Sequence, residues 1–218
     1  MNQLPESDTR PVVFFDFDGT LTTGDTLMPF LKFVVGKPIY YVKLVLLSPI
    51  LVAYFAKVLR NDIAKQIVLK RYLAGYRIDE LFLLGKRFSE DVIPTMLREE
   101  TVTRLRWHQE QGHVCVVVSA SLDVYLTEWA NLNGFYSCIS SRLKKSQTGI
   151  VTGELIGENC FGDEKVANIK KFLSSGQNLT YAYGDTKGDF SMLFCVDKGM
   201  ILKNGTFLKI DSFENSCS

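Results

Sequence analysis

Four short runs of apolar residues mark the chain: Val12–Phe15, Val114–Val118, Leu179–Tyr183 and Met200–Leu202. Each is rich in β-branched or aromatic residues, and none alternates with polar positions. Runs of this length read as strands buried on both faces, the pattern of a parallel sheet covered by helices. The first three run directly into Asp, Ser or Gly-Asp. Between them the apolar spacing turns helical, from Val124 to Leu132 after the second run and at Val166, Ile169, Phe172 and Leu173 before the third. Strand and helix alternate, which predicts an α/β, doubly wound fold.

Almost a hundred residues separate the first strand from the second, far beyond an ordinary crossover. Their apolar spacing is mostly helical from Leu27 to Phe88, and the stretch from Asp91 to Gln111 can serve as the crossover helix itself. The expectation is an α-helical cap over residues 25–90, inserted into a core formed by 10–24 and 91–213. A smaller insertion, Ser140 to Asn159, carries Gly149, Gly153 and Gly157 among alternating residues and predicts a β-hairpin.

Composition narrows the class. The chain has 218 residues, 46% hydrophobic and 22% charged, which excludes a wholly disordered or collagen-like protein. A net charge of +1 gives no field for nucleic acid, so no nucleic-acid partner is expected. Five cysteines, Cys115, Cys138, Cys160, Cys195 and Cys217, show no CxxC spacing. They read as buried or idle thiols of a reducing compartment. The opening MNQLPESDTR is polar and lacks the apolar run of an export signal, which makes the cytoplasm the expected location.

The candidate chemistry sits where the strands end. The first strand runs into Asp16-Phe17-Asp18-Gly19-Thr20, the second into Ser119-Ala120-Ser121, and the third into Gly184-Asp185-Thr186-Lys187-Gly188-Asp189, while Lys165 opens the helix before the third. In an open parallel sheet the ligand crevice lies beyond the carboxyl ends of the strands. Carboxylates, a hydroxyl and an ammonium therefore converge on one sheet edge. A surface turn built of Asp and Gly is the plain alternative for DFDGT alone, but not for the whole set.

With these four motifs in order, the sequence resembles the haloacid dehalogenase (HAD) superfamily of phosphohydrolases over roughly residues 11 to 207. The likeness is to the helical-cap branch that includes phosphoserine phosphatase. The resemblance implies a Rossmann-like core, a Mg2+ cofactor and hydrolysis through an aspartyl-phosphate. It makes Asp16 the nucleophile and a metal ligand, and Asp18 the general acid/base that also gives its backbone carbonyl to the metal. Asp185 would ligate the metal by its carboxylate, with Asp189 holding bound water or the ligands. Ser119 and Lys165 would bind the phosphoryl oxygens beside Ala120. In related phosphoserine phosphatases an acidic residue near position 25, usually Glu, binds the substrate's amino group, so Asp25 is the candidate to face the substrate. The residue types suit the task. Phosphate monoesters are dianions whose hydrolysis needs acceleration of up to about 10²¹-fold, and a carboxylate nucleophile needs positive charge beside it to approach one.

The expected cap is chemically distinct. Residues 37–87 hold ten Lys or Arg against three acids, a local +7. They also hold the longest apolar stretch, Ile39 to Leu59, broken by Lys43, Lys57 and Ser48-Pro49. Its charge-free part, Leu44 to Ala56, is shorter than the roughly 20 residues that span a bilayer. A single span would also part Asp16 from Ser119, Lys165 and Asp185. A transmembrane helix is therefore not expected, whereas peripheral contact with an anionic membrane at its inner face is compatible. Some HAD phosphatases with an apolar segment at this place act on phosphatidylglycerophosphate, so the resemblance extends to that subgroup. The substrate expectation is a lipid phosphate of this kind or a phosphorylated small molecule, phosphoserine or another amino-alcohol phosphate. A phosphotransferase and a non-hydrolytic phosphate-binding module are the readings from outside the phosphatases.

Overall fold

The structure, a computed structural model, describes residues 3–56, 58–173 and 178–211. Lys57, Cys217 and residues 212–213 of the expected core lie outside the described residues. Six strands form the main sheet: β1 (Val12–Phe15), β2 (Val114–Leu122), β3 (Ser137–Ser141), β6 (Thr180–Gly184), β7 (Lys198–Lys203) and β8 (Thr206–Lys209). Their order is β3-β2-β1-β6-β7-β8, with every pairing parallel except β7 with β8. The four strands read from the sequence are β1, β2, β6 and β7. β3 and β8 are short edge strands with polar positions, which leave no continuous apolar run.

β1 lies at the centre because it is apolar at every position and is paired on both sides. Val12 sits opposite Val114 and Thr180, and Phe15 opposite Val117 and Tyr183. This register brings the carboxyl ends of β1, β2 and β6 level, at the point where the strand order reverses.

The pleat divides the apolar residues by parity. Val12, Phe14, Val116, Val118 and Ala182 face α7 (Asp163–Leu173) and α8 (Phe190–Phe194), meeting Ile169, Phe172 and Met192. Val13, Phe15, Val117 and Tyr183 face the opposite side, against α5 (Glu99–Glu110) and α6 (Asp123–Leu132). Buried beneath that side, His108 places its ring nitrogens 2.8 Å from His113 Nδ1 and 2.8 Å from the Tyr183 hydroxyl. Burial, with His113 and Arg104 beside it, pushes the His108 pKa down to about 3. The ring is a neutral structural group there.

Four helices fill the interval between β1 and α5: α1 (Leu27–Val35), α2 (Lys37–Phe55), α3 (Asn61–Leu73) and α4 (Ile78–Asp91). Phe30, Tyr72 and Phe88 from this helical insertion join the same apolar cluster as Phe15, Tyr125 and Trp129. α4 packs against α6 with Gly85 at the contact, where an added Cβ would overlap the Val124 carbonyl. The smaller insertion is a hairpin, β4 (Leu143–Lys145) with β5 (Val151–Leu155), antiparallel as its glycines imply. β5 lies against α3.

α2 departs from the amphipathic norm. Its residues Lys37–Tyr54 have mean hydropathy 1.3 with only 6% of that stretch buried, which by length and composition would suffice to cross a membrane. The helix is longer than the charge-free stretch suggested, because Lys37 and Lys43 are helical too. Chain geometry argues against a single crossing: Asp16, before α2, bonds directly to Lys165, far beyond it. Tyr40 and Leu47 anchor the helix inward, and the Tyr72 hydroxyl donates to the Tyr40 carbonyl at 2.8 Å. Val42, Val45 and Leu46 remain 62%, 71% and 58% exposed.

Candidate active site

The chain leaves β1 at Asp16, whose N–H still donates to the Tyr183 carbonyl at 2.9 Å, so the sheet fixes this residue's backbone. The turn that follows requires a left-handed residue, and Gly19 supplies it at φ +87°. Any side chain at this position would also strike the Asp185 carboxylate. DFDGT thus has glycine for two independent reasons, conformation and close approach.

Lys165, in the first turn of α7, is buried with its Nζ 2.5 Å from Asp16 Oδ1 and 2.7 Å from Asp189 Oδ1. Burial alone would lower its pKa, but the Asp16 and Asp189 carboxylates raise it, so the ammonium stays charged. Asp16 is pushed up to about 7, first by burial, with Lys165 opposing and Asp189 adding to the rise. The Thr20 hydroxyl lies 3.0 Å from both Asp16 Oδ2 and Asp185 Oδ1. Having one proton, it donates to only one at a time. Burial also raises the Asp185 carboxyl, against the Thr20 hydrogen bond. Asp189 is held by its second oxygen, which accepts from the Thr186 N–H at 3.1 Å and hydroxyl at 3.0 Å.

One candidate oxygen each from Asp16, Asp185 and Asp189 lies within 4.8 Å of the others. Three carboxylates face one ammonium, so the ionised cluster carries surplus negative charge in a desolvated setting. An all-oxygen, anionic donor set of this kind fits a hard divalent cation such as Mg2+. Asp18 is not in this cluster. Its Oδ1 accepts from the Thr26 N–H at 2.8 Å and the Thr26 hydroxyl at 2.6 Å, and its Oδ2 from the Ser121 hydroxyl at 2.5 Å. Burial, then the Asp25 charge, raises its pKa, and the Ser121 and Thr26 bonds oppose that rise.

Ser119 is buried within β2, which continues to Leu122, and its Oγ accepts from the Ser121 N–H at 3.0 Å. The structure therefore gathers Asp16, Asp18, Ser119, Ala120, Lys165, Asp185 and Asp189 at one sheet edge. Asp25 is exposed beside this group, close enough for its charge to act on Asp18, and its carboxylate accepts from the Met28 N–H at 3.1 Å in the first turn of α1. Sequence reasoning missed Thr26, Ser121, Lys65 and Lys203. Ser121 had a signal, two residues beyond Ser119 at the end of one strand. Lys203, whose ammonium donates to the Asp185 carbonyl at 2.8 Å, and Lys65 had none. Cys115 and Cys160 are buried and Cys138 half-buried; all four described cysteines are free thiols. Burial pushes Cys115 and Cys138 up to about 12, which leaves them inert.

The family model for haloacid dehalogenase-like hydrolases matches residues 13–193. Protein CicA of Caulobacter vibrioides is 34% identical over 187 residues, covering 86% of this chain and 83% of CicA. A solved structure of a Bordetella pertussis Tohama I protein of unknown function superposes with a TM-score of 0.76 at 24% identity, covering 88% of this chain and 89% of that one. A phospho-aspartyl intermediate analogue of phosphoserine phosphatase gives a TM-score of 0.57 at 22% identity, over 89% and 86% of the two chains. These structural likenesses carry the fold. The chain belongs to the haloacid dehalogenase-like hydrolase family.

Proposed function

We propose that this enzyme is a Mg2+-dependent phosphomonoesterase that works through an aspartyl-phosphate on Asp16. The observation that carries the reading is the pairing of two differently held carboxyls, Asp16 against Lys165 and Asp18 against Ser121 and Thr26. A phosphoserine phosphatase among the structural neighbours supports the same class. An Asp16 carboxylate oxygen attacks phosphorus in line, and the bond from phosphorus to the ester oxygen breaks. The leaving oxygen takes the proton of Asp18, whose raised pKa suits a donor. Water then attacks the phosphorus of the aspartyl-phosphate and gives a proton to Asp18. The Asp16–phosphorus bond breaks and inorganic phosphate leaves. Ser119 and Lys165 bind the phosphoryl oxygens and offset their developing charge. Asp16, Asp185 and the Asp18 carbonyl would hold Mg2+, with Asp189 supporting. When bound, the ion supplies Lewis-acid neutralisation of phosphoryl charge.

A lipid phosphate such as phosphatidylglycerophosphate, met at the inner face of an anionic membrane, is the substrate reading favoured by α2. Its exposed Val42, Val45 and Leu46 carry no neighbouring acid within the helix. A soluble monoester such as phosphoserine is the alternative. The test is phosphate release, with Mg2+, over phosphoserine, other amino-alcohol phosphates and phosphatidylglycerophosphate in mixed micelles. EDTA is expected to silence turnover, and Asp185→Asn to raise the Mg2+ concentration required. Full activity in EDTA contradicts the metal assignment, and preference for phosphoserine replaces the lipid reading.

A further inference from the structure

Lys65 lies within α3, some 55 residues from the site in sequence, and nothing in its surroundings marks it. Its ammonium nevertheless leaves the insertion and reaches two core oxygens. It donates to the Ala120 carbonyl at 2.5 Å and to Asn159 Oδ1 at 2.7 Å. Both acceptors are neutral, so the charge is withdrawn from water onto the end of β2. Burial pushes its pKa down to about 8, while Asp18 and Asp25 pull it upward.

The Ala120 carbonyl belongs to a planar peptide unit whose other polar group is the Ser121 N–H, so fixing one end orients the other. That N–H donates to Ser119 Oγ at 3.0 Å, and the Ser121 hydroxyl donates to Asp18 at 2.5 Å. On the other branch, Asn159 Oδ1 also accepts from the Ser141 hydroxyl at 2.9 Å, and Ser141 Oγ accepts from the Cys160 N–H at 3.1 Å. Cys160 leads into the turn before α7, which carries Lys165. One side chain from the insertion thus touches the segment that carries Ser119 and Ser121, the latter bonded to Asp18, and the segment that leads into Lys165.

We propose that Lys65 is the positioning residue through which the helical insertion completes the phosphoryl site, by clamping the Ala120–Ser121 peptide and the Asn159 loop. Seated, the ammonium fixes Ser119 Oγ and the Asp18 carboxyl in their working orientations. Withdrawn with α3, it releases both. The proposal rests on the phosphatase reading of that site and deepens it by tying the site's competence to the seating of the insertion.

The test uses the full chain with Mg2+ and p-nitrophenyl phosphate, comparing wild type with Lys65→Met, Lys65→Ala and Lys65→Arg. Loss of an outer partner of this kind typically costs about 10–100-fold in activity. Lys65→Met is expected to lose kcat on that scale with a smaller change in KM, and Lys65→Arg, which keeps the charge, to fall between it and wild type. Added n-propylamine should restore part of the Lys65→Ala activity in proportion to its concentration, which a general weakening of the fold would not allow. Hydrogen exchange supplies a readout independent of turnover: segments 119–122 and 157–161 should exchange faster in Lys65→Met, and β6 should not. Wild-type kcat in Lys65→Met, or no amine rescue of Lys65→Ala, overturns the proposal. If wild type itself fails to hydrolyse the probe, the phosphatase reading falls instead, and unchanged exchange at 119–122 then overturns the clamp on its own.

Discussion

Asp16 and Asp18 lie two residues apart yet are prepared for different work. The Asp16 carboxylate is bonded to a buried ammonium and stands beside two further acids. Asp18 receives only neutral donors, from Thr26 and Ser121, and burial lifts its pKa. Divergent environments of this sort separate a nucleophile from a proton donor. The Ser121 bond lowers the Asp18 pKa, so Ser121→Ala removes a restraint and raises it further. The acidic limb of phosphoryl-enzyme hydrolysis, which in the proposed mechanism needs ionised Asp18, should then move to higher pH in single-turnover measurements. An unmoved limb would separate Asp18 from that step. At this scale the strand ends were legible in the sequence, because Asp16, Ser119 and Asp185 follow apolar runs that stop abruptly. Thr26, Ser121 and Lys65 were not, since their roles arise from contacts across 8, 103 and 55 residues of chain. Asp25, a position suggested by resemblance, accepts from a backbone N–H at the start of α1, and its charge acts on Asp18 and Lys65.

Among the elements, the central strands were readable because burial on both faces makes them wholly apolar. β3 and β8, at the sheet edges, need no such composition and were missed. The insertion's helices were visible as periodicity, but which face of each turns inward was not. Leu47 and Ile50 look like neighbours of Leu46 in the sequence, yet Leu47 is buried, Ile50 half-buried and Leu46 exposed. Seating of the insertion depends on α4 reaching the first residues of α6 at Gly85. Gly85→Val places side-chain atoms where the Val124 carbonyl lies, and overpacking of this kind costs about 1–3 kcal/mol. The variant should unfold at a lower denaturant midpoint than wild type. A midpoint equal to wild type would mean that the two helices separate freely.

Across the whole molecule, a net charge of +1 conceals a local +7 over residues 37–87 and −6 elsewhere. The acidic remainder includes the cluster that suits a cation, and the basic segment includes α2 with its exposed apolar side chains. Each Lys or Arg held near an anionic surface contributes about 1 kcal/mol, and salt screens such attraction over about 8–10 Å. The protein should therefore sediment with vesicles containing acidic phospholipid at low salt and be released as salt rises. Replacing Val42, Val45 and Leu46 with Ser should weaken that binding while sparing turnover of p-nitrophenyl phosphate, because none of the three touches the site. Wild-type protein that ignores such vesicles at low salt would remove the membrane reading and leave the phosphatase reading intact.

The covalent intermediate is the most direct point of test. Wild-type enzyme should be mixed with Mg2+ and p-nitrophenyl phosphate, quenched in acid during turnover and analysed by peptide mass spectrometry. Phosphate is expected on the carboxylate of Asp16, with Asp16→Asn showing neither the adduct nor turnover. Phosphate on another residue, or substantial hydrolysis by Asp16→Asn, would contradict the account.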